Sequence, residues 1–598
     1  MPDTVLSRRD LDFLLHEWLD TEDLFHRGLY AAHSRGTVDD ALALAEQMAT
    51  QLFAPHNRAA DLAEPTFDGN KVEVIPEVAK ALRAYTDAGF QTAALPESLG
   101  GMGLPYSVFA ACTAWFNAAN AATTSYALLT LGAVNLLARH GSGEHLHRYL
   151  DPMLAGRFFG TMALSEPHAG SSLADITTRA EPQPDGSYRL FGRKMWISGG
   201  DHDLSENIVH LVLARTPNAP AGTRGISLFL VPKYLLDEHG ERGERNDVVL
   251  AGINHKMGYR GTVNTAPVFG DGAHRPGGVP GAIGYLVGGL HRGMSVMFSM
   301  MNEARIGVGL CATALGYTGY LKSLAYARDR IQGRAVGALP DDGPVPLVDH
   351  PDVRRMLLAQ KSYVEGALAL ELYCARLVDD IASLADYQQR NDATQLLAVL
   401  TPIAKSWPSQ WCLHANDLAI QVLGGAGYTR DHDIEQHYRD NRLNAIHEGT
   451  HGIQGMDLLG RKILLDAGAA LQLLVMRMRS TTARARATGS VRAEGYAAQL
   501  DAAIDRLVEV TTALPTLGDL QAMLAESTAY LEASGHIVVG WLWLEQWLVA
   551  YPRGGSFYDG KRAATRYFYT RELPKVQHLL DLLAASDDLL LSLDPQDL

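Results

Sequence analysis

Along the first 155 residues, apolar side chains recur at the three- and four-residue spacing that gives a helix one buried face, and Ala-rich runs such as "YALLTLGAVNLLARHG" sustain it. One glycine-rich break, "PESLGGMGLP", interrupts the pattern. The texture then changes. "RAEPQPDGSYRLFGRKMWISGG" places an Asp-Gly turn between two strand-like runs, and "NIVHLVLART" and "GISLFLVPKYLL" are rich in branched and aromatic residues, so residues 156–285 read as a β domain. From Met301 helical spacing returns, and "RIGVGLCATALGYTGYLKSLAYARDR", residues 305–330, contains no proline and predicts one long buried helix. Further on, Leu500, Ile504, Leu507 and Val508 fall on one helix face and "GWLWLEQWLVAY" supplies bulky packing. The pattern predicts an α+β plan with the sheet as a separate block: a helical domain (1–155), a middle β domain (156–285), a helical bundle (286–465) and an additional helical domain (466–598).

Composition narrows the function. A chain of 598 residues exceeds what one hydrophobic core serves, in keeping with several domains. Lys plus Arg number 52 against 67 Asp plus Glu, a net charge of −15, and no dense basic run occurs, which argues against a nucleic-acid partner. Cys112, Cys311, Cys374 and Cys412 lie far apart without C-x-x-C spacing, so no disulfide framework or thiolate metal site is expected, and a reducing cytoplasm fits best. The N-terminal "MPDTVLSRRDLDFLLHEWLD" carries charges through its apolar positions, and no later segment reads as a membrane span, so a soluble, unexported protein is expected.

One stretch carries conspicuous chemistry. His447-Glu448-Gly449-Thr450-His451 has the H-E-x-x-H spacing of zinc proteases, with Asp457 where a longer version of the motif places its third ligand. In such enzymes both histidines project from one face of a continuous helix, and the glutamate acts on the metal-bound water. Here the central pair is Gly449-Thr450, and glycine costs about 1 kcal/mol relative to alanine inside a helix. Gln454 stands where the longer motif requires glycine, so the segment reads as a turn or helix entry; a zinc metallopeptidase is the alternative from a different reaction class.

"MALSEPHAGSSLADITTRA" followed by "GRKMWISGG", together with "QVLGGAGYTRDHDIEQHYRDNRLNAIHEGTHGIQ", resembles the acyl-CoA dehydrogenase family. With "PESLGGMGLP", "HKMGYRGT" and the 305–330 helix in the family's order, the resemblance covers about residue 80 to about residue 465. The tail, including "FYDGKRAATRYF", is similar to the extra helical domain of a longer subfamily that contains large bacterial fatty-acyl and 3-methylthiopropionyl-CoA dehydrogenases. The resemblance implies an acyl-CoA dehydrogenase-like fold, FAD as cofactor, and α,β-dehydrogenation of a medium- to long-chain acyl-CoA to the trans-2-enoyl-CoA in β-oxidation. It also implies electron transfer to an electron-transferring flavoprotein and a homo-oligomer, with a dimer favoured. Alternatives within the fold are a dehydrogenase of 3-methylthiopropionyl-CoA or another short-chain thioester, and an acyl-CoA oxidase.

Removing hydrogen across the α and β carbons of a thioester needs a base for the α-proton and an acceptor for the β-hydride. A carboxylate suffices only if its site raises its pKa and stabilises the enolate-like oxygen. The resemblance makes Glu448 the base, its own N–H an oxyanion donor, and Gly449 the point where the thioester approaches the backbone. It implies that Leu164, Ser165, Gly170 and Ser171 line the flavin ring and pyrophosphate, with Ser171 also near CoA, and that Trp196 packs on the ring beside Ser198. Arg330 matches the arginine that meets the pyrophosphate of a neighbouring subunit's FAD, Gln421, Gly424 and Gly425 a loop at the adenosine half, and Thr450 a residue near the flavin. Asn302 and Arg305 match positions that meet CoA and the acyl chain.

The sequence also departs from the family pattern. His447 replaces the tyrosine before the base and is expected to make a smaller wall that titrates near neutral pH. Gly452 replaces a flavin-contacting glutamine, Gly-Ser-Ser at 170–172 replaces Gly-Ser-Asp, and "RIQGRAVG" lacks a phenylalanine-glycine step. Some relatives carry the base where this chain has Ala304, with Glu303 one residue off.

Overall fold

Branched and aromatic residues between Phe158 and Val287 build one nine-stranded sheet in the computed structural model, which describes residues 5–141, 143–298, 300–339, 341–464, 468–517, 519–585 and 587–598. Its strands are β1 (Phe158–Ala163), β2 (Arg179–Pro182), β3 (Tyr188–Arg193), β4 (Ile197–Ser198), β5 (Asn207–Arg215), β6 (Ile226–Pro232), β7 (Val248–Ile253), β8 (Asn264–Phe269) and β9 (Ala282–Val287). The spatial order is β7-β8-β3-β9-β6-β5-β1, with β2 beside β3 and β5 and β4 beside β8. The expected Asp-Gly turn joins β2 to β3 with Arg179 opposite Phe191, and Asp185 Oδ1 accepts from the Ser187 N–H at 2.9 Å. Alternation along β5 divides its side chains: Val209, Leu211 and Leu213 enter a core with Leu137 and Met153, while Val212 and Ala214 enter a second core with Phe229 and Phe269. Both faces are covered, so β5 is buried from Asn207 to Ala214 and is apolar there apart from Asn207 and His210. This sheet belongs to one unit, Leu44–Leu104 with Ala119–Ala304.

The other unit comprises Met1–Ala43, Pro105–Ala118 and Arg305–Leu598. Helix α1 (Tyr106–His140) leaves it at a kink where Asn120 is non-helical, φ −164° and ψ 85°, and the Asn120 side chain restarts the helix by accepting from the Thr123 N–H at 3.0 Å. At its beginning, the orphan N–H groups of Tyr106 and Ser107 donate to the buried carboxylate of Asp379 at 2.6 and 3.0 Å. By length and composition α1 could cross a membrane, which corrects the expectation that no segment reaches that apolar length; most of its apolar stretch is buried inside the protein.

The predicted 305–330 helix is α2 (Met301–Asp329), followed by α3 (Pro351–Ser383), α4 (Tyr387–Leu423), the short α5 (His451–Asp457), α6 (Ser527–Ala550) and α7 (Ser556–Tyr567). Glycines set the approach of α2 to α4: a Cβ on Gly309 would lie 2.1 Å from the Ala404 carbonyl, and one on Gly316 2.7 Å from the Cys412 Cβ. The expected boundary at 465/466 lies outside the described residues. Helix α6 nonetheless packs on the bundle, its Trp543 Nε1 donating to the Ser362 carbonyl at 3.0 Å.

The "FYDGKRAATRYF" stretch of the tail, on α7, provides the strongest tie. Fully buried Lys561 ion-pairs with Asp10 and with Glu365 at 2.9 Å and donates to Gln546 Oε1 at 2.9 Å. Lys361 also pairs with Glu365, and the Tyr317 hydroxyl donates to Asp10 at 3.0 Å. Beside them Phe557 packs edge-on against Phe13, with the Arg9 guanidinium 4.1 Å from its centroid. The network thereby joins the N-terminal segment, α2, α3, α6 and α7. Replacing Lys561 with alanine leaves buried Asp10 without a cation and removes one of the two lysines on buried Glu365, and is expected to cost about 3–5 kcal/mol, against under about 1 kcal/mol for Lys71→Ala, whose pairing with Asp203 is half-exposed on both sides; urea unfolding of both variants checks the difference.

Candidate active site

Between a 3-10 turn (Arg442–Ala445) and α5 the backbone passes through the left-handed region twice, at Glu448 with φ 54° and at Gly449 with φ 94°. For a residue other than glycine this costs about 1–2 kcal/mol, so the surroundings must hold it. Two buried side chains do so. Gln454 Nε2, one turn into α5, donates to the Glu448 carbonyl at 2.8 Å, and Lys405 Nζ, from α4, donates to the Gly449 carbonyl at 2.6 Å. Glycine at 449 is required by its φ and by space, since a Cβ there would lie 2.7 Å from Gln454 Nε2. Among the described residues no backbone acceptor takes the Glu448 N–H. Thr450 then starts α5 as its N-cap, its hydroxyl accepting from the Ile453 N–H.

This geometry removes the zinc reading. The helix begins only at His451, so His447 and His451 do not share a continuous helix face. His447 Nε2 donates to Asn444 Oδ1 at 3.1 Å, His451 Nδ1 shares a hydrogen bond with the Ser406 hydroxyl, and Asp457 is held by Arg305 and Arg461, both at 2.6 Å. Among the described residues, the one group with metal-ligand spacing is Asp12, His16 and Asp39 in the N-terminal segment. There Arg8 already supplies the positive charge, donating to Asp12 at 2.7 Å and to Asp39 at 3.1 Å.

Glu448 keeps a solvent-exposed face but is hemmed in by protein, and desolvation raises its pKa while Lys405 and then Arg305 pull it back. Lys405 is fully buried, which lowers its ammonium to about 8 despite the field of Glu448. His447 is pushed down to about 3 by burial and by the neighbouring Lys405. It is therefore neutral at physiological pH, which corrects the expectation of a wall titrating near neutrality. A ladder of buried amides carries His447 back to the bundle: Asn444 donates to Asn441 at 3.1 Å, Asn441 to Asn416 at 2.8 Å, and Asn416 to the Leu315 carbonyl on α2 at 3.0 Å.

In the sheet unit, the loop after β1 is gathered by buried Glu166. Its two oxygens accept from the N–H and hydroxyl of Thr177, both at 2.8 Å, from those of Thr178 at 3.0 and 2.6 Å, and from Lys194 at 3.0 Å. Burial alone would raise the Glu166 pKa, but Lys194 and the threonine bonds hold it at about 2. Lys194 also donates to the Leu164 carbonyl at 3.0 Å, and the Met195 N–H to the Ser165 carbonyl at 3.0 Å, so Leu164 and Ser165 are fastened to the strand entry that carries Trp196. Trp196 is 62% exposed with φ 66°, a large aromatic ring held outward by unfavourable backbone. Ser198 on β4 accepts from Asn264 at 3.2 Å; Gly170 and Ser171 are exposed.

The other expected residues fall as follows. Asn302 is half-buried near the start of α2; Arg305 is buried against Asp457; Arg330 is exposed just past the end of α2. Gln421 is exposed on the last turn of α4, and Gly424 and Gly425 are exposed with open space at their Cβ positions, as does Gly452 apart from the Thr450 hydroxyl at 4.0 Å. Ala304 offers no carboxylate, and Glu303 pairs with Arg139 at 3.1 Å, so the alternative base position is empty of chemistry. Lys405, Asn444, Glu166 and Lys194 were not singled out from the sequence, and Gln454 only as the residue that breaks the longer zinc motif. The signal for Lys405 was a single cation within the apolar run "LLAVLTPIAKSW", which only a buried partner makes tolerable.

Four family models match the chain: an acyl-CoA dehydrogenase N-terminal domain over 40–157, its middle domain over 161–271, its C-terminal domain over 291–464, and an acetyl-CoA dehydrogenase C-terminal-like domain over 474–594. The chain is 37% identical over 549 residues to 3-methylmercaptopropionyl-CoA dehydrogenase of Ruegeria pomeroyi, covering 89% of each. It is 34% identical over 616 residues to the broad-specificity linear acyl-CoA dehydrogenase of Mycobacterium tuberculosis, covering 98% of each. Its fold matches that of an acyl-CoA dehydrogenase complexed with FAD from Bacillus anthracis with a TM-score of 0.74 at 18% identity, covering 98% of this chain and 93% of that one.

Substituting Glu166 by alanine leaves Lys194 buried without its counter-charge and releases both threonines. A destabilisation of about 3–5 kcal/mol is expected. Limited proteolysis should show new cleavage between residues 165 and 178, and an unchanged digestion pattern would contradict the role given to Glu166.

Proposed function

Taking as premise that this chain belongs to the acyl-CoA dehydrogenase family and is a flavin-dependent oxidoreductase with FAD as its cofactor, we propose that it oxidises a linear acyl-CoA to the trans-2-enoyl-CoA, with Glu448 as the base. The observation that carries the reading is the left-handed turn that presents the Glu448 carboxylate together with an N–H that no backbone acceptor takes. Desolvation by the surrounding protein makes the carboxyl more basic than in water although one face stays open to solvent, which suits a weakly acidic C–H, and Lys405 and Arg305 oppose full neutralisation. The α C–H bond gives its proton to a Glu448 oxygen, and the thioester oxygen that gains charge is met by the Glu448 N–H. When bound, FAD would supply the acceptor for the hydride that leaves the β-carbon, and the double bond forms between the α and β carbons.

The residues present fit such a group. The exposed, backbone-strained Trp196 offers an aromatic face that solvent alone does not explain, and the open glycines leave backbone N–H groups approachable. In the sheet unit we assign flavin contacts to Leu164, Ser165, Gly170, Ser171, Trp196 and Ser198. In the helical unit we assign Thr450 to the flavin, and Arg330, Gln421, Gly424 and Gly425 to the FAD of a second copy in a homodimer. Asn302, Arg305 and Gly449 are assigned to the acyl-CoA. Electrons leave for an electron-transferring flavoprotein. The enzyme acts in the cytoplasm, where its four buried free thiols stay reduced.

The substrate class is medium- to long-chain linear acyl-CoA, in keeping with the linear specificity named for the Mycobacterium tuberculosis relative. The 37% identity to a 3-methylmercaptopropionyl-CoA dehydrogenase favours that short sulfur-containing thioester as the second reading. Anaerobic titration of the holoenzyme with butyryl-, octanoyl-, palmitoyl- and 3-methylthiopropionyl-CoA decides between them: fastest flavin bleaching by octanoyl- or palmitoyl-CoA supports the first, and fastest bleaching by the sulfur compound the second. Rapid peroxide formation without an added acceptor would instead indicate an oxidase. Glu448→Gln should slow bleaching by at least about a hundredfold, and a wild-type rate would refute the assignment of the base. Because the carboxyl must be ionised to act and its pKa is raised, the rate should climb with pH to a half-point above that of a solvent-exposed glutamate.

A further inference from the structure

We infer that Lys405 is the positioning residue of the base: its ammonium holds the peptide after Glu448 in place, and its charge acts on the Glu448 carboxylate. The inference rests on the reading of Glu448 as the base and adds a residue to that site. A fully buried ammonium ordinarily finds a carboxylate, as Lys194 does in Glu166 and Lys561 in Asp10 and Glu365. Among the described residues Lys405 forms no such ion pair; its Nζ donates to the Gly449 carbonyl at 2.6 Å. A neutral side chain of similar length on α4 would fill this space without the cost of desolvating a charge. The charge therefore has a use, and the anion that feels it is Glu448.

The groups around Lys405 leave that role to it. From α2, Arg305 contributes a second positive charge, but its guanidinium is bound to Asp457 at 2.6 Å. Asp457 is also held by Arg461, His447 is neutral, and His451 is neutral and hydrogen-bonded to Ser406, the residue after Lys405. Arg442 acts on His451 from the turn before the base. Position and field are both fixed from α4: with Gln454 on the Glu448 carbonyl and Lys405 on the next one, two successive peptides are clamped from two helices. Rotation of either would carry the carboxylate and the Glu448 N–H off their common target.

Three substitutions separate charge from hydrogen bond. Lys405→Gln keeps a donor and loses the charge, Lys405→Arg keeps both, and Lys405→Met loses both. With FAD-loaded enzyme and octanoyl-CoA, the acid limb of anaerobic flavin reduction should move upward by about one pH unit in Lys405→Gln and stay in place in Lys405→Arg. Lys405→Met should in addition lower the limiting rate by on the order of tenfold or more. Infrared titration of the protonated carboxyl band, assigned by its loss in Glu448→Gln, reads the same shift in Lys405→Gln without turnover. An acid limb and carboxyl band unmoved in Lys405→Gln overturn the inference, even if Lys405→Met fails to retain FAD. If Glu448→Gln itself bleaches at the wild-type rate, the reading of the base falls instead, so the two failures are distinguishable.

Discussion

A glutamate held in left-handed backbone is the constraint that organises the helical unit. Glu448 at φ 54° sits in a conformation costing about 1–2 kcal/mol, and the surrounding helices are arranged to sustain it. Helix α5 has to begin within a few residues so that Gln454 can reach back to the Glu448 carbonyl. Helix α4 has to pass beneath the turn so that Lys405 can meet the Gly449 carbonyl and Ser406 the His451 ring. Helix α2 ties to the same segment through the asparagine ladder and through Arg305 on Asp457. The strain is local, but the partners that hold the segment come from α2, α4 and α5.

Among the described residues three lysines are almost fully buried, Lys194, Lys405 and Lys561, and the partner decides what each does. Lys194 closes a loop by joining Glu166 to the Leu164 carbonyl. Lys561 joins the N-terminal segment to the C-terminal helices by bridging two carboxylates. Among the described residues Lys405 meets a carbonyl and no carboxylate, so its charge is left to act on the Glu448 carboxyl rather than being cancelled by an ion pair. Compensation is thus complete where the lysine is structural and incomplete beside the proposed base, where an unspent field has chemical value.

Much of the scaffold was legible. The Asp-Gly turn, the branched-residue-rich strand β5 and the proline-free helix α2 are set by side chains a few residues apart, and the structure contains all three. Val508 is less buried than its neighbours Leu500, Ile504 and Leu507 because it lies at the edge of the helix face they share. Other readings failed for want of spatial information. H-E-x-x-H implies a metal site only if the intervening backbone is helical, and here it is left-handed at two residues. A histidine is a switch near neutrality only if it is hydrated, and His447 is enclosed beside a cation.

The sequence by itself determined the succession of helix, sheet and helix, the family motifs in their order, and Glu448 as the residue of greatest chemical interest, because periodicity, turn chemistry and motif spacing are properties of near neighbours. Tertiary structure decided the environment in which that residue works. Lys405 lies 44 positions from Gly449, and Asn416 lies 25 from Asn441; nothing in local spacing states that these pairs meet. Their meeting follows from the packing of α4 against the turn, where burial strengthens each polar contact and penalises each unpaired charge, and that is the physical reason the setting of the base could be found only in the folded chain.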